Sequence, residues 1–136
     1  MRKTRQIKVG PVAIGGGAPV SIQSMTKTPT GGVAATLGQI RRLAGLGCEI
    51  IRVALPAAAE VDALAKIGAG SPIPVVADIH FDHRLALAAI AAGAAGIRVN
   101  PGNLKDEGKA RLVARAAAAA GCAVRIGVNG GSLAPA

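Results

Sequence analysis

Five short apolar runs with strand character recur along this chain, each separated from the next by a segment of helical spacing. The strand-like runs are Ser21 to Met25, Glu49 to Ala54, Pro74 to Ile79, Gly96 to Val99 and Ala123 to Val128. The helical ones are Val33 to Leu46, Ala57 to Ile67, Arg84 to Ala92 and Asp106 to Ala120. Strand followed by helix at such short range predicts parallel pairing through right-handed crossovers. A polar residue marks each strand: Gln23, Arg52, Asp78, Arg98 and Arg125 follow one another at intervals of 29, 26, 20 and 27 residues. These intervals fit the βα units of a barrel. The first strand is not followed by a dinucleotide-type glycine fingerprint, and a doubly wound sheet is the alternative. Gln6 to Ile14 alternates around Gly10-Pro11 and predicts a small hairpin or cap, with a turn at Gly15-Gly16-Gly17. The expected fold is therefore α/β, a TIM-type (β/α)8 barrel that is incomplete, with about the first five strands and a short N-terminal hairpin. Five strands do not close such a barrel. Two sheet edges and much apolar surface would stay open, which predicts a piece of a larger enzyme.

Three of the marker residues are arginines inside strands that should be apolar. A cationic head in a parallel sheet carries a heavy desolvation cost unless something pairs with it. Alternation places Asp78 with His80, Arg98 with Asn100, and Arg125 with Gly127 and Asn129, each group on one strand face. In a barrel these faces meet at the C-terminal mouth, where active sites assemble. Converging guanidiniums bind phosphoryl oxygens through charge-assisted, often bidentate contacts. Their spread over Arg52, Arg98 and Arg125 suits a diphosphate or cyclic diphosphate better than one small anion. Internal salt bridging is the alternative use of the same charges.

Asp78 and His80 are the candidate catalytic pair. Asp78 can orient an arginine or His80, and His80 can hydrogen-bond a phosphate or donate a proton. The candidate substrate-binding residues are Arg52, Arg98, Asn100, Arg125 and Asn129. Gln23, Ser24 and Asn103 are further candidates as neutral hydrogen-bonding groups. Gly102 and Gly127 are positions where backbone can approach a ligand.

Composition narrows the partners. The net charge of +9 favours anionic ones, yet the basic residues form no continuous stripe. Tryptophan and tyrosine are absent and Phe81 is the single aromatic, so a stacking platform for bases is not expected. Thirty alanines imply a core of small side chains. Cys48 and Cys122 stand singly before strands and read as buried structural thiols, with a disulfide or metal site as the alternative; no metal site is expected in the chain. The longest apolar run, Leu85 to Ile97, has thirteen residues and is too short to span a bilayer. No secretory signal is visible. The expectation is a cytoplasmic protein without nucleic-acid or membrane partners.

The same residues carry a specific resemblance. Ser21-Ile22-Gln23-Ser24-Met25-Thr26, Ile51-Arg52-Val53, Val76-Ala77-Asp78-Ile79-His80-Phe81-Asp82, Arg98-Val99-Asn100-Pro101-Gly102-Asn103 and Arg125-Ile126-Gly127-Val128-Asn129 look like the ordered motifs of the hydroxymethylbutenyl diphosphate synthase family, iron–sulfur enzymes of the non-mevalonate isoprenoid pathway. The resemblance runs from about Gln6 to Leu133. It implies reductive ring opening and dehydration of methylerythritol cyclodiphosphate to hydroxymethylbutenyl diphosphate. It also implies a 4Fe–4S cluster, flavodoxin or ferredoxin as electron donor, and a homodimer in which the cluster domain closes over the partner's barrel mouth. Arg52, Arg98 and Arg125 match positions that hold the diphosphate, while Asp78, His80, Asn100 and Asn129 match residues lining that pocket. Residues 1–136 would then be the N-terminal portion of a TIM-barrel substrate-binding domain. The remaining barrel strands and the C-terminal iron–sulfur domain would be absent, and with them the cluster ligands, so this piece alone is expected to be inactive. The loop after the first strand departs from the family's usual Thr-Thr-Asp, reading Thr30-Gly31-Gly32 instead. Two other classes stand beside this reading: a metal-independent phosphate-binding barrel enzyme resembling dihydropteroate synthases, and a noncatalytic anion-binding module.

Overall fold

The structure is a computed structural model, and it describes residues 3–80, 82–100 and 106–128. Near the N-terminus Gly10 takes a φ of 56°, a left-handed conformation open to glycine. The turn it makes lets β1 (Ile7–Val9) pair antiparallel with β2 (Val12–Ile14). The five strands that follow are β3 (Gln23–Met25), β4 (Ile50–Ala54), β5 (Val75–Ile79), β6 (Gly96–Val99) and β7 (Ala123–Ile126). They pair in chain order, and every pairing is parallel. Four helices make the crossovers: α1 (Val33–Gly45), α2 (Val61–Gly70), α3 (His83–Ala91) and α4 (Glu107–Ala120). A hairpin followed by five parallel strands in barrel order is the incomplete TIM-type barrel expected from the sequence.

Boundaries move where local chemistry decides them. The segment expected as a helix from Ala57 opens instead with a 3₁₀ turn, Ala58–Glu60, and becomes α-helical at Val61. That helix then runs on to Gly70, where a Cβ would lie 3.0 Å from a Leu37 methyl carbon. The absent side chain permits close packing of α2 on α1. β3 begins two residues later than expected, at Gln23. Ahead of it the Ile22 amide donates to Glu49 Oε2 at 2.8 Å rather than to a strand partner.

Strand alternation sorts the sheet into two chemically different faces. Ile51, Val53, Val75, Ala77, Ile79, Ile97 and Val99 turn toward the helices and join Ile40, Leu64, Ile67, Ala86, Ala89 and Val113 in one core. Ala86 and Ala89 are fully buried, so α3 approaches the sheet closely. The opposite face starts apolar: Ile50 and Val76 pack with Val9, the hairpin covering that end. Small residues at Gly96 and Ala123 leave a hollow of about 540 Å³ between hairpin and sheet. Further along the strands the same face becomes charged.

A candidate anion-binding site at the strand ends

Register builds the charged region. Ala54, Asp78, Arg98 and Arg125 lie side by side across β4 to β7, with Arg52 two residues below on the same face, paired with Val76. Asp78 is the hub and is 2% exposed. Its Oδ2 accepts from Arg52 Nη2 at 2.5 Å, and its Oδ1 accepts from Arg98 Nη1 at 3.3 Å. One carboxylate thus serves two guanidiniums, and the cluster keeps a positive balance. Arg98 is itself buried, at 8% exposure, and also donates through Nη2 to the Gly127 carbonyl at 3.2 Å. Arg52 Nε is buried and has no hydrogen-bond partner among the described residues. An orphaned charged donor at a strand end is costly to bury and suits an acceptor arriving from outside.

Arg125 is exposed on β7. Its Nη1 donates to Gln23 Oε1 on β3 at 2.9 Å, joining the first and last strands of the sheet. The sheet is therefore curled so that its edges approach across the inner face. Gln23 and Arg125 both line the hollow above the hairpin, and the charged row sits at its rim.

Two of the remaining candidates continue strands of this row. His80 follows β5 and is exposed, whereas Asn100 follows β6 and is buried. Ser24 pairs in register with Ile51 and so belongs to the strand face turned toward the helices, opposite Gln23. Asn103 and Asn129 lie outside the described residues, as do Phe81 and Gly102.

The structure adds residues the sequence reading passed over. Thr30 Oγ1 donates to the Ala54 carbonyl, and Thr36 Oγ1 donates to the Pro29 carbonyl at 3.2 Å while sharing a 2.7 Å hydrogen bond with Thr28 Oγ1. These bonds fix the loop from β3 into α1 beside the end of β4. The signal for them was present as threonines spaced along a loop, a residue type that bonds nearby backbone. Asp82 caps α3 by accepting from the Arg84 amide at 2.8 Å. The Arg84 guanidinium bonds the same carboxylate and holds its pKa below the usual range.

The thiols sit apart from the charged row. Cys48 Sγ donates to the Ile50 carbonyl at 3.1 Å and Cys122 Sγ to the Ala123 carbonyl at 3.7 Å. Both belong to the helix-facing core, and burial pushes the Cys122 thiol pKa up. No group of three or more His, Cys, Asp and Glu among the described residues could hold a metal ion. None of the described helices is long and apolar enough to cross a membrane.

Comparison with known proteins gives a consistent set of matches. Residues 4–136 match the GcpE TIM-barrel domain. The chain is 56% identical over 135 residues to the 4-hydroxy-3-methylbut-2-en-1-yl diphosphate synthase (flavodoxin) of Acidothermus cellulolyticus, a match covering 98% of this chain and 34% of that protein. It is 57% identical over 133 residues to the enzyme of the same name from Nocardia farcinica, covering 97% and 34% respectively. The Persephonella marina enzyme of that name is 54% identical over 132 residues, with 97% and 38% covered. The chain spans about a third of the length of these relatives. Among solved structures, a mandelate oxidase variant with 3,3,3-trifluoro-2,2-dihydroxypropanoic acid superposes with a TM-score of 0.54 at 19% identity, covering 84% of this chain and 49% of that one. This last likeness concerns the fold alone.

Proposed function

Since this chain belongs to the GcpE TIM-barrel domain family, we propose that it supplies the diphosphate cradle of a 4-hydroxy-3-methylbut-2-en-1-yl diphosphate synthase. In this reading the whole enzyme opens the ring of 2-C-methyl-D-erythritol 2,4-cyclodiphosphate reductively, with loss of water. The product is 4-hydroxy-3-methylbut-2-enyl diphosphate, for isoprenoid synthesis. The observation that carries the cradle is the sharing of Asp78 by Arg52 and Arg98, with Arg125 next in the same row. A carboxylate shared in this way pre-sets two guanidiniums without neutralising both. Pre-set donors lose little freedom on meeting an anion, and Arg52 Nε adds a buried donor without a partner among the described residues.

The placement of the described residues supports a distinct role for each. Arg52, Arg98 and Arg125 bind phosphoryl oxygens. Asp78, with both oxygens engaged and almost no exposure, orients arginines instead of exchanging protons. His80, exposed at the end of β5, is the group that hydrogen-bonds a phosphoryl oxygen or passes a proton. Asn100 supplies neutral polar contact beside Arg98, and we give Asn129 and Asn103 the same part. Gln23 holds Arg125.

A 4Fe–4S cluster, when bound, would supply electrons one at a time. The described residues do not fit one: both thiols donate to nearby backbone carbonyls, of Ile50 and Ala123, within the helix-facing core. The part we assign to this chain is therefore confined to binding and orienting the substrate. The ligands then come from a C-terminal iron–sulfur domain outside residues 1–136, together with the rest of the barrel. Flavodoxin or ferredoxin is the electron donor and a cytoplasmic homodimer the working form.

Inorganic pyrophosphate titrated calorimetrically against the protein tests the cradle. Arg98→Ala should weaken binding roughly 10- to 100-fold, the worth of a charge-assisted contact. Unchanged affinity in a folded variant rejects the reading.

A further inference from the structure

Gly127 follows β7 directly, and its amide continues the ladder by donating to the Val99 carbonyl at 3.0 Å. Read from sequence it is a place for a ligand to approach backbone. The structure fills that place from within. A Cβ built on Gly127 would lie 2.7 Å from Arg98 Nε, 3.1 Å from Nη2 and 3.3 Å from Cζ. The guanidinium thus lies across the Cα of Gly127 while Nη2 donates to the carbonyl of the same residue. We propose that Gly127 is the positioning residue for Arg98, its missing side chain forming the berth that holds the guanidinium between Asp78 and the end of β7.

The inference rests on the cradle reading for its functional meaning, and on packing alone for the contact. Among the contacts that hold the Arg98 head are Asp78 Oδ1 on one side, the Gly127 carbonyl on another and, third, the Gly127 Cα underneath. Any side chain at 127 removes the third and displaces the head from the other two. The displaced atoms are the far end of a flexible side chain, so the backbone need not move. Gly127 has no positive φ, and an alanine there meets no backbone strain of its own. The substitution should therefore spare the fold and misplace one guanidinium.

A double-mutant cycle over Gly127→Ala and Arg98→Ala reads this directly, with pyrophosphate affinity and urea stability measured on all four proteins. Gly127→Ala should weaken pyrophosphate binding about tenfold, in the range of a lost charged contact, with circular dichroism unchanged. It should cost nothing more once Arg98 is alanine. Equal losses in both backgrounds, or wild-type affinity in the single variant, overturn the assignment. Should Gly127→Ala fail to fold, removing Arg98 must restore folding; no rescue also overturns it. If Arg98→Ala itself leaves affinity unchanged, the cradle falls. The stability arm then decides the contact alone: coupling between the two sites upholds it, and strict additivity rejects it.

Discussion

Asp78 sets the energetics of the site because it is buried between two cations. Removing one partner of a buried pair leaves the other charge uncompensated, at a cost of about 3–5 kcal/mol. Asp78→Ala should accordingly lower urea stability by about that amount, since Arg98 has no escape to water from a position 8% exposed. The same substitution at Asp62, on the exposed side of α2, should change little. A second residue-scale expectation concerns Cys122, whose thiol pKa is raised by burial. It should resist iodoacetamide at neutral pH in the native protein and react when the chain is unfolded, read by mass spectrometry; rapid native labelling would contradict its placement. The sequence made the arginines legible as one face, because alternation is local. It did not show that Arg52 reaches up two register positions to Asp78, nor that Arg98 fills the space at Gly127. Those contacts depend on how neighbouring strands are staggered, which no single strand encodes.

At the scale of elements, the helix starts differ in chemistry. Asp106 caps α4 by accepting from the Gly108 and Lys109 amides, at 2.8 and 3.4 Å. Asp82 caps α3, whereas α1 has Gly32 at its N-cap, with no side-chain cap and no acid in its first turn. Asp106→Ala should cost about 1 kcal/mol in thermal or urea unfolding. For Asp82 the sign is set by its depressed pKa, caused first by the Arg84 side-chain bond. Its contribution is complete above the ordinary carboxylate pKa and is lost as pH falls through the lowered folded value. Acid unfolding followed below about pH 4 should be shallower in Asp82→Asn, which has no such proton to take up. Helical spacing and glycine stops placed all four helices in the sequence, and α4 was found within one residue of its start. The 3₁₀ turn at Ala58–Glu60 was missed because alanines favour helix regardless of which hydrogen-bond pattern the preceding loop imposes.

Across the whole molecule, the two faces of the sheet divide the labour: the helix side holds the core and the inner side holds charge. The positive balance of the charged row and a net charge of +9 predict that pyrophosphate affinity falls steeply from low to high ionic strength. A salt-independent affinity would place the anion elsewhere. The bond between Arg125 and Gln23 spans 102 residues. Bringing together ends so far apart in a free chain costs about 4 kcal/mol of closure entropy, more than one exposed hydrogen bond returns. That bond is therefore a result of the sheet's curvature, carried by the four parallel pairings between its ends. It would serve as a strain gauge, since flattening the sheet along β4 to β6 would draw its two ends apart. An anion gripping Arg125 and Arg98 together would act as a strut across the same span, stiffening the sheet in proportion to how tightly it is held.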